Sequence, residues 1–170
     1  MNLLSIDPSM TCTGWAAWSV PDDWTLEPKY LTGFDSIKTD TSDCVAARLD
    51  KLRYELEQVL GFTLPDMIVY EAFPGCHYSG RGVKNIEKYI AAVERVNATC
   101  AKEIGYKNVI AVKATTWLAT RKKQDTLDKV NLYFGLDLKK KDNDLADAIG
   151  LGMWFVERMR CHPIDYTFTG

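Results

Sequence analysis

The apolar residues of this chain follow two successive periods. Residues 2–7 are a short apolar run, and after a polar turn holding Pro8 and Ser9 a second run covers residues 14–20. This predicts strand, tight turn, strand. A looser stretch with Pro21, Asp22, Asp23 and Pro28 leads to residues 30–38, a third strand that completes a meander. Then the period lengthens. Val45, Leu49, Leu52, Leu56 and Val59 or Leu60 recur at three- and four-residue steps, which predicts a helix capped by Ser42 or Asp43 and ended by Gly61. Residues 67–71 read as a short buried strand of the parallel type, closing on the carboxylate of Glu71.

Residues 73–82 read as loop. A helix over 85–104 places Ile86, Ile90, Val93 and Val96 or Asn97 on one face and stops at Gly105. A strand at 109–112 is followed by a helical turn around Thr116, Trp117 and Leu118, then by an amphipathic segment carrying Leu127, Val130 and Phe134 that ends at Gly135. The lysine run 139–141 leads into a last helix, from about Asp142 or Asp144 through Ile149, Gly152 and Phe155 to near Arg160. Pro163 marks a tail. No internal repeat or low-complexity segment is evident. Strands in a meander, then alternating with helices, predict a three-layer α/β domain with a mixed five-stranded sheet flanked by helices. The expected organisation is a single domain over residues 1–160 and a short tail over 161–170.

Composition agrees with one globular domain: 170 residues, 46% hydrophobic and 26% charged. The five cysteines, at 12, 44, 76, 100 and 161, are odd in number, widely spaced and without a Cys-x-x-Cys pair. That argues against a disulfide framework and for a reducing compartment: a cytoplasm, that of a phage-infected host included, with an organelle equally compatible. The amino terminus shows no basic segment followed by a long apolar run, and no stretch approaches the ~18 apolar residues of a membrane span, so neither signal peptide nor membrane is expected.

The net charge of −2 hides an asymmetry. Residues 75–141 hold 14 Lys and Arg against 6 Asp and Glu, a local +8, while the remainder holds 7 against 17, a local −10. A basic centre in an acidic frame suits phosphate binding beside a cation-binding carboxylate site, and it equally suits solvated helix faces.

Four acids stand where burial is costly. Asp7 ends the first strand, Glu71 ends the fourth, and Asp144 and Asp147 lie on the last helix among apolar neighbours. Residues three apart on a helix share a face, so Asp144 and Asp147 converge. Like charges so close are destabilising unless a divalent cation binds them, and hard Mg²⁺ takes carboxylate oxygens while keeping exchangeable waters. Ligands of open α/β sheets gather at the carboxyl ends of strands, where Asp7 and Glu71 fall. Each acid also has a plain structural use: Asp7 as a turn residue before Pro8, Asp144 as a helix cap or first-turn acid. Asp142 competes as a ligand but, after the lysine run, suits an exposed cap.

Leu4-Ser5-Ile6-Asp7-Pro8-Ser9 continuing to Thr13-Gly14-Trp15-Ala16, then Ile68-Val69-Tyr70-Glu71, then Asp144-Leu145-Ala146-Asp147-Ala148-Ile149, resembles the RuvC family of Holliday-junction resolvases in the ribonuclease-H-like superfamily. Order and spacing match over residues 3–157. The resemblance implies a ribonuclease-H-like fold and assigns Asp7, Glu71, Asp144 and Asp147 as catalytic carboxylates holding two Mg²⁺ ions, with Mn²⁺ as a substitute. It also implies a homodimer that places paired symmetric nicks in four-way DNA junctions during recombination and repair. Two cations about 4 Å apart lower the pKa of a bound water and stabilise the departing 3′ oxygen of an in-line displacement. No nucleophilic side chain is needed, in keeping with the lack of a Ser/His/Asp or Cys/His arrangement.

Ser9 stands where many family members carry Gly, and the aromatic residue the family often places after the Glu is here either Phe73 or Tyr78. Either can stack on an unpaired base or cover the core. Arg81, Lys84 and Lys88 after Glu71, with Lys113, Arg121, Lys122 and Lys123 before the final acids, are the expected backbone contacts of the junction arms. Dimerisation is expected through the helix after Glu71, where Ile86, Tyr89, Ile90 and Val93 form an apolar stripe that core packing also explains. Cys76-His77 and Cys161-His162 lack the usual zinc-ligand spacing. Identical carboxylates serve a nuclease acting on flaps, branched replication intermediates or RNA-containing duplexes. A silent branched-DNA-binding module is expected to lack some of the acids, and the chain is too short for a two-lobed actin-like ATP-binding protein.

Overall fold

Alternation of side chains along the strands divides the protein into two apolar layers on either side of one sheet. The computed structural model describes residues 1–72, 83–118 and 123–161, with side chains from 86 onward in the second segment and from 124 onward in the third. Its strands are β1 (Asn2–Asp7), β2 (Cys12–Ser19), β3 (Leu31–Lys38), β4 (Met67–Ala72) and β5 (Val109–Lys113). Its helices are α1 (Val45–Thr63), α2 (Val83–Ile104), the short α3 (Ala114–Trp117), α4 (Lys123–Phe134) and α5 (Asn143–Cys161).

The sheet order is β3-β2-β1-β4-β5. The meander β1-β2-β3 is antiparallel, whereas β1, β4 and β5 run parallel, because a helix intervenes before each of the last two strands. This is the mixed five-stranded sheet expected from the alternation of periods. Leu4, Ile6, Ile68 and Tyr70 point to one face and pack with Leu52, Leu56 and Val59 of α1 and Ala92, Val96 and Cys100 of α2. Leu3, Ala16, Trp18, Val69, Ile110 and Val112 point to the other, against Val130 of α4 and Ile149, Leu151 and Phe155 of α5.

One hydrogen bond and one glycine seat α5 on that second face. The Trp18 indole Nε1–H donates to Ser5 Oγ at 2.9 Å, which satisfies a buried donor between β1 and β2. Above them α5 carries Gly152, where a Cβ would come 2.7 Å from Ser5 Oγ and 2.5 Å from Trp18 Cε2, so only glycine lets the helix sit this low.

Both ends of α1 differ from the sequence expectation. Helix α1 runs through Gly61 to Thr63 and ends on Leu64, which adopts a left-handed φ of 44° with its N–H on Leu60 O at 3.0 Å. The stop comes from Pro65, since the residue before a proline disfavours the helical region. The N-cap is Cys44, without a side-chain cap bond, because Ser42 is engaged upstream: its N–H and Oγ both donate to Asp40 Oδ1 at 2.8 Å. Helix α5 begins at Asn143, and Asp142 closes the preceding turn by accepting the Lys139 N–H at 2.9 Å.

Candidate active site

Register alone puts two carboxylates side by side. In the parallel β1–β4 pair Ile6 lies beside Tyr70, so the next step places Glu71 on the strand next to Asp7, neighbouring strands being about 4.8 Å apart. Since Leu3 and Ser5 face α5, the two-residue period turns Asp7 to the same side; Val69 does the same for Glu71. Asp7 is only 5% exposed.

The helix acids reach this place through a backbone contact. Gly14 is paired with Asp7 across the β1–β2 ladder, and a Cβ built on it would lie 2.8 Å from Leu145 N and closer still to the Asp144 carbonyl. The absent side chain lets the first turn of α5 rest on the sheet beside Asp7. Asp147, 2% exposed, is then buried one turn further along, while Asp144 is half-buried. Backbone geometry thus brings the positions of Asp7, Glu71 and Asp144 to one end of one sheet face, with buried Asp147 one turn along α5.

Glu71 Oε2 accepts the Nε1–H of the buried Trp117 at 2.8 Å. Burial pushes the Cys12 thiol above its ordinary range, and the Asp144 charge adds to the effect. Among the described residues, no three Asp, Glu, His or Cys side chains close on one point as a ready-made metal-holding group.

Two contributors escaped the sequence reading. The pattern marks Trp117 only as part of a helical turn, and Arg48 lies outside the apolar positions that define α1. Arg48 is 5% exposed and ties α1 to the turn that follows Asp7. Its Nε donates to Thr39 Oγ1 at 2.9 Å, and its Nη2 to Met10 O at 2.9 Å and Thr11 Oγ1 at 3.1 Å. A signal existed, since Arg48 stands four residues before Leu52 on the stripe that carries Leu56 and Val59.

Of the expected DNA contacts, Lys113 is exposed at the end of β5, beside Ala72, and Lys88 is exposed on α2. Phe73, Tyr78, Arg81, Arg121 and Lys122, and the side chains of Lys84 and Lys123, lie outside the described residues, as do Cys76, His77 and His162. On α2, Val93 is buried and Tyr89 packs against the α1-side core, while Ile86 and Ile90 stay half-buried. No described helix is long and apolar enough to cross a membrane.

No protein-family model matches the chain, and no curated protein sequence matches it. Solved structures do. One is Thermus thermophilus RuvC in complex with a Holliday junction substrate, with a TM-score of 0.72 at 19% identity, covering 95% of this chain and 96% of that one. Another is the Fowlpox virus resolvase with substrate Holliday junction DNA, at TM-score 0.58 and 16% identity over 94% of this chain and 99% of that one. The yeast mitochondrial Holliday junction resolvase follows at TM-score 0.56 and 12% identity, covering 94% of this chain and 81% of that one. The chain therefore has the RuvC-like, ribonuclease-H-type fold, as its motifs implied.

Proposed function

We propose that this protein is a divalent-metal-dependent, structure-specific DNA endonuclease that resolves four-way junctions by paired nicks, working as a homodimer of a single nuclease domain over residues 1–160 in a reducing compartment. The reading is supported by backbone geometry that brings the positions of Asp7, Glu71 and Asp144, with Asp147 one turn along α5, to one end of the α5 face of the sheet. Resemblance of the fold to resolvases solved with junction DNA supports the choice of substrate.

The donor set fits the cation. All four groups offer hard carboxylate oxygens, the chemistry of Mg²⁺ or Mn²⁺, and Asp7 and Asp147 are buried where anionic carboxylates need a compensating charge. Asp7 and Glu71 from the strands and Asp144 and Asp147 from the helix would hold up to two ions. Bound there, such ions supply a water activated at neutral pH and charge stabilisation for the leaving oxygen. The chain's own part is to fix the acids on rigid strands and a packed helix. Lys88 and Lys113 with Phe73, Tyr78, Arg81, Lys84, Arg121, Lys122 and Lys123 would position the DNA backbone and the opened junction centre, contacts that carry no sequence information. Ile86 and Ile90 of α2 are the half-buried apolar residues offered for the dimer.

The test is a synthetic four-way junction and a matched linear duplex, each with Mg²⁺ or EDTA, with Asp7→Asn and Asp147→Asn alongside. Symmetric nicks in the junction alone, requiring Mg²⁺ and absent from both variants, are expected. Tight binding without cleavage would make this a silent junction-binding module, and preferential cutting of a flap or an RNA–DNA hybrid would keep the site and replace the substrate.

A further inference from the structure

Trp117 occupies the junction between the two halves of the candidate site. It sits on α3, directly after β5, and is 3% exposed. A buried indole N–H needs an acceptor. Here the acceptor is the Glu71 carboxylate, at 2.8 Å, rather than a backbone carbonyl. The far edge of the same ring lies against α5: a Cβ on Gly150 would come 3.2 Å from Trp117 Cζ3 and 3.7 Å from Cη2. Gly150 is three residues beyond Asp147 and so lies on the same face of the helix. One rigid side chain therefore touches the strand acid at its nitrogen and the acid-bearing helix at its benzo edge.

We infer that Trp117 is a positioning residue for the metal site, setting the Glu71 carboxylate and the height of α5 over the sheet through a single indole. The inference rests on the nuclease reading and deepens it. A free Glu side chain samples several rotamers, and capturing an ion then costs the entropy of choosing one. The charge-assisted bond from Trp117 makes that choice in advance. It does not block coordination, because a carboxylate accepts at about four lone-pair sites and one N–H uses a single site. Contacts of this kind, one step removed from the ion, typically change metal affinity about 10- to 100-fold when removed.

The experiment uses the full chain and Mn²⁺ itself as the probe, titrated calorimetrically and by its effect on the melting temperature. Trp117→Phe keeps an aromatic ring but deletes the donor and shortens the edge that meets α5 at Gly150. It is expected to weaken Mn²⁺ binding about 10-fold and to raise the metal concentration for half-maximal cleavage to match, with kcat at saturating metal falling far less. Unchanged Mn²⁺ affinity in Trp117→Phe would overturn the inference while leaving the nuclease reading intact. A wild-type chain that binds no Mn²⁺ would remove the nuclease reading, and the inference with it. If Trp117→Phe fails to fold, the Trp117 indole proton resonance of the wild type decides. It should shift on Glu71→Gln and again on Mg²⁺ addition to the wild type, and a resonance indifferent to Mg²⁺ would refute the role.

Discussion

Gly14 and Asp144 touch through their backbones, and this contact, more than either strand or helix alone, assembles the candidate site. A side chain at position 14 would collide with the Asp144 carbonyl and come 2.8 Å from Leu145 N, neither of which can move without lifting the start of α5. Gly14→Ala should therefore cost about 3 kcal/mol or more of stability, at the upper end of overpacking effects. It should abolish cleavage even well below the melting temperature. Urea denaturation and the junction assay measure the two effects separately, and an active, stable Gly14→Ala variant would contradict the geometry.

Asp7 and Asp147 are buried acids at the same end of the sheet face. Binding of Mg²⁺ to the native state alone raises the melting temperature by mass action. Asp7→Asn and Asp147→Asn should each fold, lose the Mg²⁺-dependent rise expected of the wild type, and lose cleavage. Differential scanning fluorimetry with Mg²⁺ and with EDTA reads the first effect without any DNA, and an undiminished Mg²⁺ response in both variants would place the ion elsewhere.

Arg48 donates three hydrogen bonds from a buried position to Thr39, Met10 and Thr11, bracing the turn that begins one residue after Asp7. Hydrogen bonds made by a charged group carry about 1.5–3 kcal/mol each, though not additively. Arg48→Met should lose about 3 kcal/mol, and Arg48→Lys should recover only part, because an ammonium lacks the planar fork that spans two strand ends. Cleavage should fall in both variants at temperatures where they remain folded, through the displaced turn. Chemical denaturation beside single-turnover kinetics provides the check.

Burial pushes the Cys100 thiol of α2 up to about 12, from an ordinary 9.0. An acid whose pKa is raised by folding stabilises the native state fully below pH 9, and this contribution is lost as pH rises from about 9 to 12, since the unfolded thiol ionises first. The melting temperature of the wild type should fall over that range more steeply than that of Cys100→Ala, which is less stable at neutral pH from the cavity it leaves. In native protein at pH 8, a thiol reagent should label exposed Cys44 and Cys161 quickly and Cys100 only after unfolding. Parallel slopes in the two melting curves, or fast labelling of Cys100, would contradict the burial.

Much of the architecture is legible in local pattern. The change of period after residue 38 separates the meander from the alternating strands and helices, because a two-residue and a 3.6-residue repeat bury different side-chain sets. The acids stood out because Asp7 and Glu71 close apolar strands and Asp147 interrupts an apolar helix, places where charge is costly without a use. Boundaries were less legible where a nonlocal or competing bond decided them: Asp40 takes Ser42 away from capping α1, and Pro65 rather than Gly61 ends that helix.

By itself, then, the sequence determined which segments form strands and helices, which faces of them are apolar, and which acids need explaining, since all of these follow from the spacing of residues close in the chain. The tertiary structure alone decided that Asp7 and Glu71 fall on the same side of the sheet as α5, and that Gly14 lets Asp144 settle beside them. It also decided that Trp117 and Arg48 brace the arrangement from 46 and 38 residues away in sequence, from Glu71 and Met10 respectively. Strand register, helix crossing height and the partner of a buried donor depend on which distant surfaces meet, and no periodicity within a segment encodes that.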